Sequence, residues 1–420
     1  MKKMTDLSAL IAKNTPPEML DFLRTAGKTA EAEGRRLFVV GGVVRDLLMG
    51  RPNLDFDLVV EGNAISLAQK LAETYQGRTI AHTRFTTAKL RWGRWVVDIA
   101  STRSESYTRP GALPSVVLHP DIRQDLCRRD FTINAMAVSL APSDFGQLTD
   151  IFHGQEDLSA GLIRILHERS FQDDATRLWR AVRYEQRLGF KIERDTLALL
   201  RRDLKYLDTI SADRLRNELE LCLVEEKPEQ ALERASYLGL LARISPQWQV
   251  AKTAVKNLVR ARTRLQPYTP PSELYLAILF YNLNAEALAE IYRRLNFSKS
   301  VARILQESYE LHGSLDRLRQ PSLSKGEIYL FLKDYSQNAL LANLLCSDES
   351  EVSNRIELYL SDLKNVRTLI KGQELIKAGL ASGPQVGKLL EKLKAARLDG
   401  QVDSKTAELA LAEKLSRTGF

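Results

Sequence analysis

Cysteine is scarce: Cys127, Cys222 and Cys346 are the three in 420 residues, far apart and with no C-x-x-C pair. That spacing argues against a disulfide framework or a zinc ribbon, and a reducing cytoplasm is the expected setting. The five histidines are isolated, and "HERSF" at His167 lacks the second histidine of a metalloprotease helix. There is no G-x-S-x-G and no His-Asp dyad, so neither a serine hydrolase nor an appended phosphohydrolase is expected. The longest notable apolar run, Leu274–Tyr281, falls far short of a bilayer span, and no membrane association is expected. No apolar signal region follows "MKKMTDLSALIAKN". Periodic repeats and low-complexity tracts are missing, and no protein partner is evident.

A chain of this length exceeds one compact core, so two or more domains are expected. With 44% hydrophobic and 27% charged residues it reads as globular. The net charge of +8 suits a polyanionic partner, although the basic residues are spread along the chain and must gather in space. The first part mixes patterns. "RLFVV" and "LDFDLVV" read as strands, "VVRDLLMG" as a short helix closing at Gly50, and "AISLAQKLAETY" as a helix. "TAKLRW" and "RWVVDIA" form a hairpin signal around Gly93. The polar stretch Ser101–Ser115 reads as a long loop. From about residue 155 amphipathic helices take over, without a persuasive strand, and Arg264–Glu273 is the expected hinge among them. "GPQVGK" near the C-terminus is not a P-loop: three residues separate its glycines, and Leu389 follows Lys388. It reads as helix, Gly-Pro turn, helix. Such a turn either offers backbone N–H groups to a phosphate or simply closes a helical hairpin.

The most informative stretch is "GGVVRDLLMGRPNLDFDLVV" (residues 41–60). Residues i and i+2 of a strand share a face, so Asp55 and Asp57 project together. Two such charges repel, and one takes a proton unless a cation lies between them. A divalent ion with hard oxygen ligands resolves the conflict, which points to Mg²⁺. A solvated acidic strand edge is the alternative for a bare D-x-D. The upstream glycines shift the balance: Gly41 and Gly42 let backbone approach phosphate oxygens at a helix start, and Arg45 can add a fork to the same phosphates. A metal beside a triphosphate cradle implies nucleotidyl transfer.

This stretch resembles the signature of the DNA polymerase beta-type nucleotidyltransferases. More narrowly, it resembles the class II (bacterial-type) tRNA nucleotidyltransferases and their poly(A) polymerase relatives. Four further segments agree in order: "RRDFTINAMA", "DIFHGQEDLSAGLIR", "DDATRLWRAVR" and "SADRLRNEL". Together the five span residues 38–219, about half the chain. The segment at Lys371–Gly400 is also similar to the C-terminal region of tRNA nucleotidyltransferases.

In "DDATRLWRAVR", Asp174, Arg177, Arg180 and Arg183 recur at three-residue intervals along one helix face. Taken alone, that is an exposed helix laced with salt bridges. The resemblance implies a protein template for the incoming base. Asp174 would accept from the amino group of cytosine or adenine, and Arg177 would donate to the ring nitrogen. Uracil and guanine show the reverse polarity there, leaving a group unpaired at a cost of about 1–3 kcal/mol. Arg180 and Arg183 would face the triphosphate or hold the helix. Asp173 stands where the family commonly has Glu. By the same resemblance, Arg129 meets the ribose–phosphate region, Asp130 and Asn134 lie near the sugar, and Arg128 is structural. The Ser101–Ser115 stretch matches a flexible segment linked to the switch from C to A. Asp98 is either a third carboxylate or a strand-end salt bridge.

The expected architecture is α+β: a small mixed-sheet, polymerase-beta-like nucleotidyltransferase head (residues 1–150) followed by an all-helical neck (151–225), body (226–330) and RNA-binding tail (331–420). The expected activity is template-independent, Mg²⁺-dependent addition of C and A from CTP and ATP to the 3′ end of tRNA. Addition of CC alone, addition of A alone and poly(A) synthesis are the related alternatives. A non-catalytic RNA-binding protein on the same fold is the alternative of a different class.

Overall fold

The computed structural model describes residues 5–119 and 121–418, and the chain forms two compact units. One runs through Leu219 and takes in Arg234–Arg243; the other comprises Glu220–Glu233 and the chain from Ile244 onward.

The first unit opens with α1 (Ser8–Asn14) and α2 (Pro17–Ala32). Pro17 occupies the first turn of α2, where its missing N–H costs nothing. Met19, Phe22, Leu23, Ala26 and Ala30 repeat at helical spacing and are all buried. Then come β1 (Leu37–Val40), α3 (Gly42–Leu48), β2 (Asp57–Val60), α4 (Ala64–Thr74), β3 (Arg78–His82), β4 (Thr87–Trp92) and β5 (Trp95–Ser101). The hairpin β6 (Arg103–Ser106) and β7 (Ser115–Leu118), α5 (Ile122–Cys127), β8 (Ala137–Ser139) and β9 (Leu148–Thr149) follow.

Seven strands make one sheet in the order β3-β4-β5-β2-β1-β8-β9. Only β2 and β5 run parallel within it; the other neighbours are antiparallel. Strand alternation sends Leu58, Val60, Ala88, Leu90, Val97 and Ile99 to one face, where they share a core with Phe22, Leu67 and Leu71 of α2 and α4. On the other face, Phe38, Val40 and Val59 pack with Ile122 and Leu126 of α5.

Three expectations change here. The strand expected over "LDFDLVV" begins only at Asp57. Within the stretch expected as a loop, Arg103–Ser106 is strand β6, its polar residues hiding its strand character, while residues 107–114 are the loop that joins it to β7. The expectation of helices alone after residue 155 is corrected by β10 (Leu162–Ile163) and β11 (Lys191–Ile192), a parallel pair too short to show alternation. Around that pair lie α6 (Gly154–Ala160), α7 (Ser170–Asp173), α8 (Thr176–Leu188) and α9 (Arg194–Asp203).

In the second unit, the apolar run becomes helix Ser272–Phe280, buried at every position from Leu274 to Phe280. It packs against helices Lys299–Gly313 and Gln337–Cys346, which explains why it is apolar all round. The expected hinge Arg264–Glu273 joins Lys252–Arg264 to Ser272–Phe280, two helices of this unit that pack together. "GPQVGK" is helix, turn, helix: Gly372–Lys377, then Gly383 at φ 53°, then Pro384–Leu398. Among the described residues no helix is long and apolar enough to cross a membrane.

One close approach fixes how α2 sits on the sheet. A Cβ on Gly27 would overlap the backbone carbonyl of Leu140. Gly27→Ala is expected to lower stability by about 1–3 kcal/mol in urea denaturation, because backbone must move to admit one methyl group. Unchanged stability would show that the contact relaxes freely.

Candidate active site

Asp55 lies in the irregular lead-in to β2, and Asp57 is the first strand residue. Both are exposed, while Phe56 between them is 5% exposed and belongs to the core. The lead-in is held by Asn53, whose side-chain oxygen accepts from the Asp55 N–H at 2.9 Å and whose amide donates to Asp46 at 2.7 Å. Asp57 stands in parallel register with Asp98 of β5. Lys89 Nζ donates to Asp98 at 2.9 Å, so Asp98 has the salt bridge considered for it and also faces Asp57. Burial, then repulsion from Asp55, raises the Asp57 carboxyl to about 6, with a smaller push from Asp98. Solvent reaches Asp57, yet enough protein surrounds it to penalise its charge.

These residues fit a hard divalent cation. The donors are carboxylate oxygens alone, and their mutual repulsion is what a cation would relieve. Among the described residues no group of three or more His, Cys, Asp or Glu side chains closes into a ligand shell. Asp55 and Asp57 supply two carboxylates, the number with which proteins commonly hold Mg²⁺ while water and substrate phosphates complete its coordination.

Gly41 ends β1 at φ 76°, a conformation that favours glycine. A Cβ there would lie 2.9 Å from Arg129 Nη1, so the guanidinium rests directly over the turn. Arg129 also donates to Asp125 at 3.0 Å. Gly42 begins α3, with the Arg45 guanidinium 3.6 Å from where its Cβ would be. Arg45, expected to fork onto phosphates, is only 4% exposed. Its Nε donates to Asp46 and its Nη1 to Asn134, both at 2.8 Å. Buried among carboxylate and amide partners, it braces the turn from beneath.

Asn134 continues the chain of bonds to Asp130 at 3.1 Å. Asp130 also accepts from the Phe131 N–H at 2.8 Å and from Arg180 through Nε at 2.9 Å and Nη2 at 2.6 Å. Four bonds fill its acceptor capacity, so it is a buried counter-ion and not an open sugar ligand. Burial opposes its ionisation, but Arg180 and Asn134 outweigh that and hold it at about 2. Arg183 pairs with Glu218 at 3.3 Å and is buried. Arg180 and Arg183 are both engaged with carboxylates that anchor α8.

Asp174 occupies the extended break between α7 and α8. Its Oδ1 accepts from the Thr176 N–H at 3.0 Å, the Thr176 hydroxyl at 2.6 Å and Arg214 at 2.6 Å. One oxygen thus holds Thr176, the first residue of α8, together with Arg214, and among the described residues nothing donates to the other. Arg177 is 5% exposed. It donates to the Ser170 hydroxyl at 2.7 Å and to the Arg128 carbonyl at 2.6 Å. The hairpin docks beside it: Glu105 accepts from Arg128 at 3.2 Å and from the Tyr107 hydroxyl at 3.0 Å. Asp173 lies 4.0 Å from His167 and 3.9 Å from Arg169.

Sequence reasoning missed Arg214, Lys89, Glu105 and Tyr184. Arg214 sits inside the quoted "SADRLRNEL", and Lys89 alternates with Ala88 and Leu90, so both had a signal. Tyr184 had none: Arg45, Arg180, Arg183 and Arg187 all lie 5.3–5.6 Å from its ring, a convergence only the fold creates.

Residues 37–164 match the family described as the Poly A polymerase head domain. Residues 189–252 match the family described as the probable RNA and SrmB-binding site of polymerase A. The A-adding tRNA nucleotidyltransferase of Halalkalibacterium halodurans is 33% identical over 94% of this chain and 92% of its own length. The chain belongs to the class II tRNA nucleotidyltransferase and poly(A) polymerase family. The A-adding tRNA nucleotidyltransferase of Geobacter sulfurreducens is 34% identical over 97% of the chain, which spans about half (48%) of that relative's length. A solved structure of a CCA-adding enzyme in an apo form superposes with a TM-score of 0.83 at 32% identity, covering 98% of this chain and 99% of the other.

Two predictions follow from the ionised groups. The Asp57 carboxyl is harder to ionise in the folded chain, so it costs stability as pH rises from 3.8 and does so fully above about 6. Asp57→Asn should melt higher than wild type at pH 8 in chelator, and added Mg²⁺ should raise the Tm of wild type alone. Equal Mg²⁺ stabilisation of both proteins would remove Asp57 from the ligand set. Asp130→Asn leaves Arg180 without its counter-charge and should cost about 3–5 kcal/mol in urea denaturation at pH 7. Because the wild-type carboxyl is depressed to about 2, the gap should narrow as pH falls from about 4 toward 2.

Proposed function

We propose that the chain adds nucleotides to the 3′ end of tRNA without a nucleic-acid template, completing the CCA terminus from CTP and ATP. One observation carries the reading: the same unit holds the Asp55–Asp57 pair, the Gly41 turn under Arg129, and the Asp174–Arg177 start of α8. The names of the A-adding and CCA-adding relatives support it. A cytoplasmic setting is part of the proposal, in keeping with three cysteines that lie far apart in the sequence with no C-x-x-C pair.

Asp55 and Asp57 would hold Mg²⁺, which supplies charge neutralisation for the triphosphate and a lowered pKa for the attacking hydroxyl. Arg129, poised over the Gly41 turn, would bind the phosphates where backbone without Cβ allows close approach. Gly42 keeps that approach open, and Arg45 fixes the turn through Asp46 and Asn134. The free oxygen of Asp174 would accept from the amino group of cytosine or adenine. Arg177 would donate to the ring nitrogen, giving up one of its present bonds to do so. Arg180 and Arg183 would keep α8 rigid while the base is read, through Asp130 and Glu218.

Addition of A alone is the second reading, favoured by the A-adding relatives at 33% and 34% identity. Labelled CTP or ATP offered with tRNAs ending before the first C, after it, and after the second C separates the two. Incorporation of C on the shorter tRNAs is expected; A on the last substrate alone would establish the second reading. No incorporation on any substrate would leave a non-catalytic RNA-binding protein. Asp174→Ala should lose about tenfold or more in discrimination against UTP and GTP while tRNA binding stays within twofold. Continued rejection of UTP and GTP by that variant would remove Asp174 from base selection.

A further inference from the structure

The carboxylates occupy one end of a sheet face that stays open as far as the edge strand. Asp57 aligns with Asp98, Asp98 with Lys89, and Lys89 with Ile80, one row across β2, β5, β4 and β3. The next row on the same face holds Val96, Arg91 and Arg78 in register. Alternation guarantees the shared face: the intervening Leu90, Val97 and Ile99 are in the core on the other side. Ile80 is 49% exposed and Val96 40%.

Arg78 and Arg91 stand directly opposite one another on adjacent strands. Like charges so placed destabilise a sheet, and among the described residues neither arginine has a carboxylate partner. An anion lying across the pair would turn that cost into binding energy.

Direction identifies the anion. Phosphoryl transfer places the attacking and leaving oxygens roughly in line. The triphosphate side of the carboxylates is β1 and α3, where Arg129 covers Gly41. The attacking hydroxyl must therefore come from the opposite side of β2, which is β5, β4 and β3. We propose that this face is the track for the single-stranded 3′ end of the acceptor RNA, with Arg78 and Arg91 holding its phosphates and Ile80 and Val96 supporting its sugars and bases. The proposal rests on the nucleotide-adding function above and deepens it by placing the acceptor strand. Cations that follow a backbone, beside apolar contacts that accept any base, are what sequence-tolerant single-strand binding requires. The spacing of strands puts Arg78 roughly 14 Å from the strand of Asp57, within reach of a strand only a few nucleotides long.

The test is the double variant R78Q/R91Q in the full chain, assayed by labelled nucleotide addition to tRNA. KM for tRNA should rise five- to tenfold, with kcat and the KM for nucleotide within twofold of wild type. The slope of log Kd for tRNA against log salt should fall in magnitude by about 1–2, as expected for two lost phosphate contacts. A tRNA KM and salt slope that match wild type would overturn the track. Should wild type add nothing to any tRNA, the function proposed above fails. Fluorescence anisotropy with a short labelled single-stranded RNA then decides the surface alone: weaker binding by the variant supports it, and equal binding overturns it.

Discussion

The fork between Arg180 and Asp130 is the constraint on which the site depends. Asp130 is buried and Arg180 meets it with two nitrogens, so Asp130 cannot lose that fork without leaving an unpaired charge in low dielectric. From Asp130 the bonds pass to Asn134, then Arg45, then Asp46, then Asn53, then the backbone of Asp55. α8 and the carboxylate lead-in are thus two ends of one polar chain. A network of this kind is strong only when every member is satisfied, and here each link has a partner at 2.6–3.1 Å.

Around that rigid frame the electrostatics differ in kind. Asp130 and Arg180 are a completed pair, with the acid held low and the base raised by one another. Asp57 is an incomplete one, raised by burial and by its acidic neighbours. The contrast separates a satisfied charge from an unsatisfied one within a single unit. The completed pair gains nothing from a further ion, whereas the incomplete cluster gains most from one.

Much of the head was legible in the sequence because its strands obey alternation and its turns carry glycine. β1, α3, α4, β4 and β5 all lie where periodicity and the glycines at 41, 50 and 93 place them. The edge strand β3 was not legible: four of its five residues are exposed, so no apolar period marks it. The carboxylate pair could be read from two residues on either side of Phe56. The inward aim of Arg45 could not, since its partner Asn134 lies 89 positions away and nothing local says which way a guanidinium turns. The same holds for Arg214, which reaches Asp174 across 40 positions.

Arg177 is fastened to the carbonyl of Arg128, and the very next residue is the arginine that lies over Gly41. A single peptide unit therefore separates the group proposed to sense the nucleobase from the group proposed to seat the phosphates. Were Arg177 to release that carbonyl to meet a base, as proposed, the backbone beneath Arg129 would lose one of its anchors at the same moment. Choosing the nucleotide and placing its reactive end would then be one mechanical event, joined by the shortest lever a polypeptide can provide.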